Sequence, residues 1–377
     1  MRLDPFQLER YFGQYEFSVP YALASSDCDG LPLSELLAMA DPDTRKLWDS
    51  LALGYTETQG HPLLREAIAG LYEGCGPEHV LVAAPEELIF VAMNCLVHTG
   101  DHVVTTFPGY QSLYSLAESL HAEVSHWEPD ESAAWRFDPE RLNELVRPST
   151  RLIVVNFPHN PTGALPSYAE YERILEIAAS HHIAVLSDEM YRLLERDEAD
   201  RLPAAADLYD RAVSLSGVSK TLGLAGLRIG WLLVRDERLL RRMIEFKDYT
   251  TICSSAPSEI LAVAGLRARE GILARHVARI ARNLGLLEGF MAKYEALFSW
   301  VPPQAGTVCF PRFKHASIGT PELCRLAREQ AGVMLVPSTM FDYGERHLRI
   351  GVGRENFPEG LLRLSSFLMS RRAGPEG

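Results

Sequence analysis

The stretch SLSGVSKTLGLAGLRIGW, residues 214–231, decides the reading of this chain. An apolar, strand-like run ends in a Ser/Gly turn. A lysine follows at 220, and a glycine-rich loop leads to an arginine at 228. A lysine just past a strand end can sit in a cleft, where lost hydration lowers its pKa and makes the amine a nucleophile. Glycines let the backbone approach a ligand closely, and the planar fork of Arg228 suits a phosphate. A surface lysine followed by a glycine loop is the bland alternative; the whole pattern argues against it.

Outward from this stretch, short apolar runs alternate with longer amphipathic ones. Strand-like runs fall at 79–84, 102–108, 122–128, 151–158, 182–189, 212–219 and 228–234, with helix-like segments such as HPLLREAIAGLYEG, PEELIFVAMNCLV and SYAEYERILEIAASHH between them. Such alternation predicts an α/β fold: a mostly parallel seven-stranded sheet with helices on both faces, and a ligand at the carboxyl ends of the strands. Past residue 235 the pattern changes. One long helical region is expected from Asp236 to Tyr294, broken at Pro257, followed by a smaller α+β domain. The expected division is an N-terminal segment, 1–45, packing with the small domain, a large domain, 46–275, and a small domain, 276–377.

The 377 residues carry 37 Lys plus Arg against 50 Asp plus Glu, a formal charge of -13. That excess argues against a nucleic-acid partner, and the basic stretch RAREGILARHVARIARN reads as a solvated helix face. The six cysteines form no CxxC or metal knuckle, which fits reduced thiols and no metal site. The N-terminus lacks the apolar core of a signal peptide, and no apolar run is long enough to span a membrane. A soluble, cytoplasmic protein is expected.

With Lys220 followed eight residues later by Arg228, the chain resembles the fold-type I pyridoxal-phosphate (PLP) enzymes, specifically the class I/II aminotransferases of the aspartate aminotransferase type. The resemblance extends along nearly the whole chain. It implies pyridoxal 5'-phosphate held by Lys220 as a Schiff base, and a ping-pong exchange between an amino acid and a 2-oxo acid. NFPHNPTG (156–163) matches the family's Asn-Pro-x-Gly element, so Asn160 is implied to bond the cofactor's phenolic oxygen and to help bind substrate; Asn-Pro is by itself also a turn signal. SDEMY (187–191) matches Asp-x-x-Tyr. Asp188 is implied to pair with the pyridine nitrogen, and Tyr191 to share the phenolic oxygen. A carboxylate closing an apolar strand is costly without a partner; a helix cap is the plainer reading. Tyr110, in FPGYQSLY (107–114), resembles the residue that stacks on the cofactor ring, with Tyr114 a nearby competitor. HLRIGVG (347–353) resembles the strand whose arginine, here Arg349, clamps the substrate carboxylate; Arg346 and Arg354 are alternatives. Tyr55, in LGYTETQGHPLLREAIA (53–69), matches a tyrosine that reaches the neighbouring subunit's cofactor, implying a homodimer with composite active sites. His61 and His159 lie beside these motifs and are assigned no catalytic role.

Two departures stand out. VAAPEELIF (82–90) resembles the turn and helix start beneath the cofactor phosphate, but Pro85 stands where alanine is usual and has no N–H to give. Ala84, Pro85 and Glu86 mark the location, with the amides of Glu86 and Glu87 as donors and both side chains expected to point away. Gly217 stands where a phosphate-binding serine often lies, leaving Ser219 or the more distant Ser216 to supply a hydroxyl. These departures, with SDCDGLPLSELL near the N-terminus, also resemble a capreomycidine synthase-type subgroup. For that subgroup elimination or cyclisation is the alternative reaction.

Overall fold

A computed structural model describes residues 2–372. Its centre is one seven-stranded sheet: β1 (Val80–Ala83), β2 (His102–Thr106), β3 (Glu123–Trp127), β4 (Thr150–Asn156), β5 (Ala184–Asp188), β6 (Ala212–Gly217) and β7 (Gly230–Val234). The spatial order is β1-β7-β6-β5-β4-β2-β3. β7 runs antiparallel to both its neighbours; every other pairing is parallel. All seven expected runs lie in this sheet. The central strands are buried except at Arg151, near the start of β4, because helices cover both faces. Alternate residues serve opposite faces. Leu81, Val103, Val154, Leu186 and Val213 pack with the helices Pro85–Leu96 (α2) and Ser112–Ser119 (α3). Val80, Val82, Trp231 and Leu233 meet the helices Pro62–Ala69 and Ala256–Arg267 on the other face.

Some expected strand ends were too long. The run 151–158 stops at Asn156, whose side chain leaves the ladder to donate to the Asp188 carbonyl at 2.9 Å and to accept from the Asn160 N–H at 2.8 Å. Pro158 lacks an N–H with which to continue. The expected helix from 236 to 294 is three helices, Glu237–Lys247, Ala256–Arg267 and Arg269–Lys293. Its break precedes Pro257, which sits in the first turn of the second helix, where a missing N–H leaves no bond unmade; a second break falls at Ala268.

The third of these helices runs from one core to another: its Ile272 joins the sheet's core, and its Ile280, Leu287 and Phe290 join a second. That second core gathers the antiparallel strands Val308–Cys309, Leu348–Gly351 and Val336–Pro337 with the helices Thr320–Ala331 and Phe357–Arg372. The chain's N-terminal segment belongs to it too. Tyr21–Ala22 pairs in parallel with Val333–Met334, and helix α1 (Gln7–Tyr15) sets Leu8 and Phe12 against Phe310, Phe341 and Trp135. These contacts draw residues 7–27 across the carboxyl ends of the sheet. Among the described residues no helix is long and apolar enough to cross a membrane.

Candidate active site

A cavity of about 470 Å³ opens at the carboxyl ends of the strands, within the range of small-molecule sites. Most expected site residues line it. Pro85 and Glu86 follow β1, Tyr110 follows β2, Asn160 follows β4, and Asp188 closes β5. Tyr191 lies one turn on, Ser219 and Lys220 follow β6, and Arg228 precedes β7; Arg349 enters from the second core. The register explains the convergence: Asn156 lies opposite Asp188, and both Ala83 and Gly217 lie opposite Gly230, so these strands end at one level.

Lys220 Nζ donates to Ser26 Oγ at 2.8 Å. Burial lowers its pKa, Asp27 acts the other way, and Arg349 adds to the lowering. A larger fraction of neutral amine at a given pH follows, which suits a nucleophile or base. Asp188 is 6% exposed, and its carboxylate accepts from the Met190 N–H at 3.1 Å. Burial pushes its carboxyl up to about 6, against the Met190 bond and the nearby Lys220 charge. A cation placed against it would hold it ionised. Arg349 is 1% exposed. Its guanidinium donates to Asn160 Oδ1 at 3.2 Å and to the Ala24 carbonyl at 2.9 Å, and it lies 5.5 Å and 5.4 Å from the Phe12 and Phe341 ring centres. Its Nε has no partner among the described residues.

The alternatives separate cleanly. Arg346 is exposed and donates to the His315 carbonyl, outside the cavity. Arg354 reaches the cavity but is paired with Asp27 at 2.8 Å. Tyr114 donates to Asp342 at 2.9 Å, away from the cavity, whereas Tyr110 lines it. Ser216 faces Tyr72 and Trp231 instead, while Ser219, 4% exposed, has an unpartnered Oγ. His61 caps helix Pro62–Ala69 by accepting the Leu63 N–H at 3.2 Å. His159 is buried against Thr162, and burial pushes its pKa down to about 3. The Tyr191 hydroxyl is engaged, donating to the Ser26 carbonyl at 3.0 Å. Tyr55 lies outside this chain's cavity, 91% exposed. Of the two glutamates expected to point away from the phosphate, Glu87 turns out to Thr251, whereas Glu86 lines the cavity and accepts from Ser112 at 3.3 Å. Ser25 and Ser26, Glu9, Phe12, Glu16 and Asp27 also line it and were not singled out in the sequence. They arrive by packing of the N-terminal segment, which no periodic pattern announces.

Both departures have one spatial cause. Gly217 has φ of -179°, open to any residue, but a Cβ there would sit 3.1 Å from Gly230 Cα and from the Ile229 carbonyl oxygen. A Cβ on Gly230 would lie 2.8 Å from the Ser216 carbonyl oxygen and 2.9 Å from Pro85 Cγ. Two bare glycines therefore let the strand pair and the proline ring pack together. Gly217→Ser should cost about 1–3 kcal/mol by overpacking, read as a lower urea midpoint; an unchanged midpoint would contradict this packing account. Arg228 has φ of +57°, a strained conformation for a non-glycine residue. Among the described residues its guanidinium donates only to the Ala225 carbonyl, at 3.2 Å.

The donor set fits pyridoxal 5'-phosphate. A buried hydroxyl without a partner (Ser219), the first-turn N–H groups of α2, beyond the reach of intrahelical bonds, and Arg228 suit a phosphate. Asp188 suits a ring cation. The unpartnered Nε of Arg349 suits a carboxylate.

The family model for aminotransferase class I and II matches residues 22–359, and the chain belongs to that family of PLP-dependent enzymes. It is similar to a PLP-dependent aminotransferase structure from Streptococcus suis, with 31% identity, a TM-score of 0.92 and 100% of both chains covered. It is similar to the structure of the PLP-dependent cyclase OrfR, with 30% identity, a TM-score of 0.89 and 98% of both chains covered. Among curated proteins it is 29% identical to capreomycidine synthase from Streptomyces vinaceus over 97% of this chain and 94% of that one.

Proposed function

We propose that the protein transfers an amino group from an amino acid to a 2-oxo acid, with Lys220 as the group that moves the proton. The observation that carries this reading is the placing of a half-buried, pKa-depressed Lys220 in one cavity with Asp188 and a buried Arg349 whose Nε is unpartnered. Bound pyridoxal 5'-phosphate supplies an electron sink for the charge left on the substrate. Arg349 holds the substrate carboxylate in a fork, and Asn160 and the Ala24 carbonyl fix that fork's plane. Lys220 Nζ takes the Cα proton as general base and later returns it; Ser26 holds the amine between these events. Asp188 stays ionised and keeps positive charge on the ring nitrogen. Helix α2, Ser219 and Arg228 hold the phosphate. A homodimer fits the surface: Leu53, Tyr55 and Tyr249 are 84–91% exposed, on loops joined by the Lys247 Nζ bond to the Thr58 carbonyl, and Tyr55 would reach the partner's site. All six cysteines are unpaired, in keeping with a cytoplasmic protein.

The second reading is elimination or cyclisation on an amino acid, favoured by the full-length likeness to capreomycidine synthase and to a PLP-dependent cyclase. It uses the same lysine, aspartate and arginine, so products decide. The loaded protein is given amino acids singly, with and without a 2-oxo acid acceptor. Transamination releases the donor's 2-oxo acid and aminates the acceptor. Loss of ammonia or water independent of an acceptor would replace the first reading with the second.

Arg349→Lys gives a further test. A lysine keeps the charge but loses the fork. The expected result is a roughly 10–100-fold fall in kcat/KM, mostly in KM, from the loss of a charged hydrogen bond. An unchanged KM would remove Arg349 from the carboxylate site.

A further inference from the structure

Two buried charges outside the cavity hold one loop. Lys247 ends the helix Glu237–Lys247, and Glu259 lies in the first turn of the helix Ala256–Arg267; both side chains are fully buried. Lys247 Nζ donates to the Thr58 carbonyl at 2.5 Å. Glu259 Oε1 accepts the His61 N–H at 3.3 Å, and the Thr56 hydroxyl stands beside the same carboxylate. Burial disfavours the Lys247 charge, and the charges of Glu87 and Glu259 act the other way. A buried ion is costly to strip of water, whereas a surface loop can take its hydrogen bonds from water without that cost. Two such ions are spent here on the backbone of residues 58 and 61.

The loop is firm on one side and bare on the other. Gly60 has φ of +114°, and a Cβ there would lie 2.6 Å from Val82 Cγ2. The Gln59 carbonyl accepts the Val82 N–H at 3.0 Å, which seats this half against β1. Residues 53–55 make no hydrogen bond among the described residues, and Leu53 and Tyr55 are exposed. Tyr55 adjoins the firm half directly, so fixing Thr56 and Thr58 limits where its ring can swing. A side chain ordered before docking loses less entropy on docking.

We propose that Lys247 and Glu259 are positioning residues for the active site of the neighbouring subunit: they lock residues 56–61 so that Tyr55 is presented, already ordered, to a second copy of this chain. This rests on the reading that Tyr55 reaches the partner's site. It predicts that Lys247 acts across the dimer and not on the cavity of its own chain.

The test uses mixed dimers, made by co-expressing two differently tagged chains and purifying on both tags. Lys220→Ala in one chain leaves a single lysine-bearing site. The Kd of pyridoxal 5'-phosphate there is read from the absorption band of the lysine-bound cofactor. In the first pairing Lys247→Met is placed in the chain that lacks Lys220, so the one lysine-bearing site receives Tyr55 from the altered loop. In the second it is placed in the chain that keeps Lys220, so that site receives an unaltered loop. Against a dimer with Lys220→Ala alone, Kd should rise roughly tenfold or more in the first pairing, the scale of one lost hydrogen bond to a charged group, and stay within about twofold in the second. The reverse pattern, an equal rise in both pairings, or no rise in either would overturn the proposal. Should Lys247→Met fail to fold, Lys247→Met with Glu259→Gln removes both buried charges together and is read in the same way. Tyr55→Phe in the same pairings tests the premise separately. No rise with Tyr55→Phe in the first pairing, or a chain that does not dimerise, would show that Tyr55 does not reach the partner's site, and the proposal would fall with it.

Discussion

Lys220→Ala is expected to abolish covalent capture of the cofactor and to slow turnover of any amino acid by about 10³-fold or more, the upper part of the range for a positioned general base. The argument is positional. Lys220 follows β6 directly, its amine lies in the cavity against Ser26, and burial keeps its pKa low. The other cations there are Arg228, Arg349 and Arg354, and an arginine does not release its proton at working pH. Among the described residues lining the cavity Lys220 is the one lysine, and so the one side chain there whose amine can form a Schiff base with the cofactor. The amine donates a single bond among the described residues, to the Ser26 hydroxyl, so its loss should leave the fold intact. The check is the absorption band of the lysine-bound cofactor together with single-turnover rates. A small primary amine added to the variant should restore part of the rate. A rate within tenfold of the parent would remove Lys220 from the mechanism.

Asp188→Ala is expected to lower kcat by about 10²–10³-fold, comparable with removing one preorganised electrostatic group, with KM for the amino acid little changed. Among the described residues its carboxylate holds only the Met190 N–H, while the strand-end bonds to Asn156 and Phe157 run through its backbone carbonyl. Truncation therefore removes charge rather than scaffolding. The same residue sets a pH limb. Burial raises the free carboxyl to about 6, and a cation against it lowers that value, so activity should hold as pH falls and drop only below about 6. The drop should be absent from the residual activity of Asp188→Ala. Steady-state profiles of both proteins check this; a parallel fall in both would assign the limb to another group.

Lys220 and Asp188 were legible as positions because each lies at the end of a strand-like run, and a parallel sheet delivers strand ends to one place; Asn160, four residues past the end of β4, was singled out through the family resemblance of NFPHNPTG. Arg349 was legible through the Leu-Arg-Ile pattern of its strand, and side-chain direction sets aside Arg346, which the sequence kept as an alternative. Ser26 and Glu9 were not legible. They reach the cavity because Tyr21–Ala22 pairs with Val333–Met334 and α1 packs on Phe310 and Phe341, contacts across more than three hundred residues. The direction of the Glu86 side chain was not legible, because sequence places a helix start but not the rotation of its first turn. Gly217 looked like a lost phosphate ligand, and its neighbours show it to be a packing requirement shared with Gly230 and Pro85.

The most direct test of the central claim is chemical. The protein loaded with pyridoxal 5'-phosphate is reduced with borohydride, digested and mapped by mass spectrometry. The account predicts one phosphopyridoxyl group, on the peptide containing Lys220. The group on another lysine, or its absence from a protein that binds the cofactor, would contradict it.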